Sequence, residues 1–175
     1  LNPRGAILAT VDPSGSLIQS YLRPETPARG KAADDFEAAI AWLLWLLGFS
    51  AASFGTHPKT RDAFDVIATT PRGDFLVVEC TLGLLRADGK LSKLAARAAN
   101  VRDSLAVSNL KHLRVLPVIV TAMTGEQVAV DLTVLSGTYV MVSMLLNATQ
   151  VGIPGAGAPP LEEFDPLVIR QRLLA

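Results

Sequence analysis

Residues 114–121, Arg-Val-Leu-Pro-Val-Ile-Val-Thr, constrain the fold of this chain more than any other segment. The run is apolar without alternation, as a strand covered on both faces should be. Such a strand belongs inside a sheet with helices above and below. Pro117 removes one ladder donor and is the only residue in the run that argues against a strand. Upstream, Leu91, Leu94, Ala95, Ala98, Val101 and Leu105 recur at helical spacing, which predicts an amphipathic helix over 91–106. Before it, residues 75–81 read as a strand. Strand, helix and strand in succession imply a right-handed crossover and a parallel pair. A further apolar run at 64–69 is separated from 75–81 by the turn sequence Pro71-Arg72-Gly73-Asp74, which predicts an antiparallel hairpin. The expected fold is α/β, a mixed central sheet flanked by helices.

The rest of the chain is ordered around this core. Residues 6–11 and 16–22 flank Asp12-Pro13-Ser14-Gly15, a turn signal, and are expected to form a small hairpin. A linker over 23–30 follows, with two prolines and a glycine. A largely buried helix is expected over 36–47, capped by Asp34 or Asp35 and ended by Gly48. Beyond the buried strand, the pattern predicts a helix over 125–135, a strand over 138–142 and a short helix to 149. A Gly/Pro-rich connection over 151–160 leads to a C-terminal helix over 161–174. The expected organisation is a hairpin and linker at 1–30, an α/β core at 31–150, and the connection with its helix at 151–175.

Composition excludes several classes of function. Half of the 175 residues are hydrophobic and 18% are charged, too apolar for a disordered chain. Sixteen Lys and Arg balance sixteen Asp and Glu, which excludes a globally basic nucleic-acid binder but not a local basic face. Cys80 is the only cysteine, so an internal disulfide and a cysteine-based zinc site are excluded. Only His57 and His112 are present, so no histidine-rich metal site is expected. The glycines of 151–157 lack the preceding strand and the lysine of a phosphate loop. The apolar stretch 38–47 is about half the length that spans a bilayer, so no membrane association is expected. Residues 1–5 lack the start of a signal peptide, and a cytoplasmic location is expected. The chain begins with Leu rather than Met, as an excised segment would, so a further N-terminal domain is an expected partner. The apolar stretches 38–47 and 139–146 exceed what one small core needs, and a homodimer is expected to cover them.

Three acids stand where acids are unfavourable. Asp65 and Glu79 lie within the two runs of the hairpin, and Glu37 lies in the otherwise apolar helix. Carboxylates are poor strand formers and costly to bury unless paired or bound to a cation. A cluster of such oxygens suits Mg²⁺ or Mn²⁺. Glu37 has an equally good explanation as an acid favoured by the positive end of its helix. Strand alternation puts Glu79 with Thr81 on one face, and Val78 with Cys80 on the other, where the thiol enters the core. Lys90, Lys93, Arg97 and Arg102 give the following helix a basic side, which in most helices is a solvated face. His57, in a loop with Lys59 and Arg61, reads as exposed.

Together these elements resemble the PD-(D/E)XK nuclease superfamily, the restriction-endonuclease-like fold. The resemblance covers about residues 34–121: the helix with Glu37 that ends in Leu47-Gly48-Phe49, then Phe64-Asp65-Val66-Ile67, then Val77-Val78-Glu79-Cys80-Thr81, a basic helix and a buried strand. It implies a three-layer core. It also implies a metal-dependent deoxyribonuclease that holds Mg²⁺ or Mn²⁺ through Asp65, Glu79 and the backbone carbonyl of Cys80, with Glu37 completing the site. Thr81 stands where the family carries lysine. Lys93 is the expected replacement and Lys90 the second choice, and Lys90, Arg97 and Arg86 are expected to contact DNA. The missing lysine also supports a different class, a catalytically inactive domain that keeps the fold for nucleic-acid binding or dimerisation.

Overall fold

The structure is a computed structural model and describes residues 3–23, 30–55, 60, 63–83, 89–122 and 139–140. Its elements in order are α1 (Pro3–Leu8), α2 (Ser16–Leu22), α3 (Lys31–Leu46), β1 (Ser50–Ser53), β2 (Val66–Thr69), β3 (Phe75–Thr81), α4 (Lys90–Val107), β4 (Val115–Thr121) and β5 (Tyr139–Val140). The strands form one five-stranded sheet in sequence order. Strands β1, β2 and β3 are antiparallel, and β3, β4 and β5 are parallel. The sheet is therefore mixed, and the β3–α4–β4 crossover supplies the parallel pair.

The two faces of the sheet are covered by different helices. Val66, Ala68, Leu76, Val78, Cys80, Val118 and Val120 pack against Phe36, Ile40 and Leu44 of α3. Val77, Val115 and Ile119 pack against Leu94 and Ala98 of α4. Strand alternation assigns each residue of β3 to one of these layers, and every residue of β4 is buried, as its unbroken apolar run requires. Gly48, with φ 96°, closes α3: the N–H of Phe49 reaches the carbonyl of Leu44, and the chain turns into β1.

The N-terminal segments are helices, not the expected hairpin. Short apolar runs fit either period, and here the side chain of Asp12 decides. It is buried, and its two oxygens accept from the backbone N–H groups of Leu17 at 3.2 Å and Ile18 at 3.0 Å, which starts α2. Ile18 and Leu22, four residues apart, then enter the core beside α3. Tyr21 lies 5.9 Å from Trp42, and Arg4 lies over the Trp45 ring. This packing covers part of the apolar surface of α3 within the chain.

Helix α3 begins earlier than expected, at Lys31 after Gly30, and neither Asp34 nor Asp35 caps it. Asp35 pairs instead with Lys31 at 2.6 Å. Asp65 stands one residue before β2 rather than inside it. β1 was not expected at all. Of the predicted C-terminal elements only β5 is described; the helices over 125–135, to 149 and over 161–174, and most of 139–146, lie outside the described residues. Among the described residues no helix is long and apolar enough to cross a membrane.

Candidate active site

Three elements bring their acids to one place. A cleft of about 900 Å³ is lined by Glu37 from α3, Asp65 before β2, and Glu79 from β3, with Lys90, Lys93 and Arg97 of α4 opposite. The topology explains the meeting. A crossover helix starts beside the end of the strand that precedes it, so the first turns of α4 face the end of β3. Asp65 joins them because β2 runs antiparallel to β3 and starts where β3 is ending.

Asp65 is positioned mainly by backbone. Its own carbonyl accepts from the N–H of Phe54 at 2.8 Å and from Gly55 at 3.3 Å. Its carboxylate Oδ2 accepts from the Cys80 N–H at 2.7 Å. Burial, followed by the charge of Glu79, pushes its pKa up to about 6, and the Cys80 N–H works against that rise.

Glu37 reaches the same point from α3. Because α3 starts at Lys31, Glu37 sits in its second turn, beyond the reach of the helix dipole that would otherwise explain it. Its Oε2 is buried and has no hydrogen-bond partner among the described residues. Burial first, then the charge of Asp65, raises its pKa to about 8. Gly55 makes this approach possible. A Cβ there would collide with Glu37 Oε2 and stand 3.0 Å from Asp65 Oδ1 and 3.2 Å from Asp65 Cα. Sequence reasoning missed Gly55; an isolated glycine after Phe54 carries no visible signal.

Glu79 is held differently. Its side chain is 5% exposed and sits between two cations. Lys90 Nζ donates to Oε1 at 3.3 Å, and Arg97 pairs with Oε2. Lys90 also donates to the Cys80 carbonyl at 2.8 Å. Lys90 therefore touches both groups that the sequence nominated on β3, whereas Lys93, the preferred lysine, is exposed and lines the cleft. The difference is directional. Side chains on a helix tilt toward its N-terminus, so the first residue of α4 projects back past the helix end to the strand. Arg102 leaves the basic group, since it donates to the Val115 carbonyl at 2.8 Å. Arg86 and the His57 loop lie outside the described residues. Thr81, which the sequence resemblance sets against a motif lysine, is buried and exchanges hydrogen bonds with the backbone of Gly83, closing the strand end. The Cys80 thiol is in the core, and burial raises its pKa.

Among the described residues no three His, Cys, Asp or Glu groups stand close enough together to hold a metal ion. The pair of Glu37 and Asp65 is nevertheless suited to a cation. A buried and a half-buried carboxylate meet at one point, and Glu37 Oε2 lacks a partner among the described residues. Both acids are held above their ordinary pKa, mainly by burial, with Asp65 adding to the rise of Glu37 and Glu79 to that of Asp65. A hard divalent ion needs only one or two carboxylates, with water completing its shell.

No protein-family profile matches the chain, and no curated protein does. Among solved structures it is similar to the small subunit of the heterodimeric restriction endonuclease R.BspD6I. The likeness has a TM-score of 0.55 at 9% identity, over 91% of this chain and 89% of that one. At that identity the likeness concerns architecture, and it agrees with the mixed sheet and its two helical layers: the chain has a restriction-endonuclease-like α/β fold.

Proposed function

We propose that this chain is a PD-(D/E)XK-type nuclease domain that hydrolyses DNA phosphodiester bonds with Mg²⁺ or Mn²⁺, and that Lys90 takes the part of the missing motif lysine. The observation that carries the reading is the convergence of Glu37 and Asp65 on one point against Gly55, with Glu79 and Lys90 in the same cleft. Asp65 and Glu37 would hold the ion, with Glu79 and the Cys80 carbonyl joining as the resemblance implies. When bound, the ion supplies positive charge to a phosphate oxygen and to the attacking water.

The chain's own residues do the remainder. The Cys80 N–H fixes the orientation of the Asp65 carboxylate, and Gly55 leaves room for Glu37 beside it. Lys90, which donates to Glu79 and the Cys80 carbonyl, would bring its ammonium to negative charge developing on a phosphate. Arg97 holds Glu79 from the other side and lines the same cleft. A neutral chain gives little general attraction to DNA, so much of the grip would come from a partner. The similar structure is one subunit of a heterodimeric endonuclease, and this domain too would work with a second subunit.

The test is cleavage of supercoiled plasmid and of single-stranded DNA over a Mg²⁺ and Mn²⁺ titration. Cleavage by the native chain that is lost in both Asp65→Asn and Glu79→Gln is expected. Equal cleavage by native and both variants would refute the site, and DNA binding without cleavage at every ion concentration would identify a non-catalytic domain.

A further inference from the structure

A second cavity of about 370 Å³ opens beside the cleft and shares Arg97 and Asn100 with it. Its floor is apolar, made by Phe64, Val101 and Leu105. These three are only partly buried, packed on the core from outside. Phe64 is held edge-on by Phe54, with ring centroids 5.2 Å apart. Polar groups rim the floor: Asn100, Ser104 and Ser108.

The rim and the cleft belong to one stripe of α4. Lys93, Arg97, Asn100, Ser104 and Ser108 are spaced by three and four residues and so share a face. The stripe runs roughly 22 Å, at 1.5 Å per residue. None of the five side chains is acidic; Ser104 donates its hydroxyl to the Asn100 carbonyl at 2.9 Å, and Arg97 pairs with Glu79. The single acid of α4, Asp103, lines neither cavity. The carboxylates are confined to the first cavity, and the second combines an apolar floor with neutral polar groups and the edge of an arginine. A phosphate alone would not need that floor, and an aliphatic ligand would not need that rim.

We infer that this second cavity is a subsite for a nucleobase, taking the base of an unpaired nucleotide that adjoins the phosphate in the cleft. The inference rests on the nuclease reading for what occupies the cleft, but base binding in the groove does not depend on cleavage. Phe64, Val101 and Leu105 present apolar surface to the base, and the Asn100 amide can meet a base edge. Arg97, between the two cavities, lies where the connecting sugar-phosphate must pass. The base has to leave its stack to enter, so the site favours single strands, flaps or frayed ends over intact duplex.

The experiment uses the whole chain in EDTA, where no cleavage occurs, and a fluorescein-labelled single-stranded 12-mer oligodeoxynucleotide read by anisotropy. Ser104 is exposed on α4, so Ser104→Trp fills the groove without touching the core, and Ser104→Glu adds a charge that repels phosphate. Circular dichroism of each variant confirms folding. Each variant should weaken binding about fivefold or more, the scale of one base–aromatic contact. A single abasic site moved along the 12-mer should weaken native binding at one position and leave binding to Ser104→Trp unchanged. Equal affinity of native and folded variants, no effect of the abasic site at any position, or no binding of the 12-mer by the native chain would each overturn the inference. Failure of the nuclease reading would appear separately, as absence of cleavage with Mg²⁺.

Discussion

The hairpin of β2 and β3 carries a buried acid at each end, and the two are treated in opposite ways. Asp74, at the turn, meets Arg114: the guanidinium donates to both carboxylate oxygens, at 3.2 Å and 2.6 Å, and the Arg114 N–H adds a third bond. That side-chain hydrogen bond holds the Asp74 pKa below the ordinary range. Asp65, at the open end, receives one backbone N–H and faces two more carboxylates, and its pKa rises. One acid is matched within the fold. The other is buried at a cost the fold offsets only in part, through the Cys80 N–H and the charges of Lys90 and Arg97, a pattern common at functional sites. Position in the sheet does not separate them; partners do.

The sharpest test of that contrast exchanges each acid for its amide. Asp65→Asn keeps an acceptor for the Cys80 N–H and should lower cleavage by about two to three orders of magnitude, the scale of losing one electrostatic group at a reacting centre. Its melting temperature without metal should be unchanged or higher, because a repulsive charge is gone. Asp74→Asn should do the reverse, leaving cleavage intact. Loss of cleavage in Asp74→Asn, or a folding defect in Asp65→Asn, would break the comparison.

Lys90 and Lys93 extend it to the cations. Lys90→Met should reduce the cleavage rate by roughly a hundredfold. Lys93→Met should change it by less than about threefold while weakening DNA binding in a salt-dependent way. Single-turnover kinetics at saturating DNA separates the two, and the opposite ranking would return the role to Lys93.

In stability the order is reversed. Asp74→Asn should cost about 1–2 kcal/mol by thermal or urea unfolding, modest because Arg114 is 44% exposed. A value near zero would mean that solvent already screens the pair.

The remaining expected effect lies in pH. Glu37 titrates near 8 in the folded chain against 4.5 for the free group, and a raised acid binds its proton more tightly when folded. Its stabilising contribution is therefore fully present below about pH 4.5 and is lost as pH rises through 8. Glu37→Gln should match the native melting temperature near pH 4 and exceed it increasingly from pH 6 to 9, without metal. Mg²⁺ should narrow the gap at high pH by stabilising the charged native acid. Parallel native and variant curves would show that Glu37 is more solvated than its unpartnered oxygen suggests.

The sheet's central strands and α4 were legible because their signals were redundant. The apolar run of β4, the spacing along α4 and the turn at Pro71-Arg72-Gly73-Asp74 each point to one element, and each element stands within a residue or two of expectation. β1 was not legible because Ser-Ala-Ala-Ser has no strand propensity, and its pairing with β2 creates it. Helices α1 and α2 were misread because two short apolar runs around a turn fit both periods, and the deciding contact is the Asp12 side chain. Within the site, Glu37, Asp65 and Glu79 stood out as acids in apolar surroundings. Gly55 did not, because its role depends on Asp65, ten residues later, and Glu37, eighteen earlier.

Much of what holds the site is peptide rather than side chain. The Cys80 N–H orients Asp65, the Cys80 carbonyl receives Lys90, and backbone N–H groups of Phe54 and Gly55 secure the Asp65 carbonyl. None of these contacts records the identity of residue 80 or 54. Lineages carrying such a centre can exchange those side chains for others of similar volume and keep the geometry, provided that the strand register survives. A chain anchored in this way can share its architecture with another at 9% identity, because the path of the backbone leaves most of its side chains free.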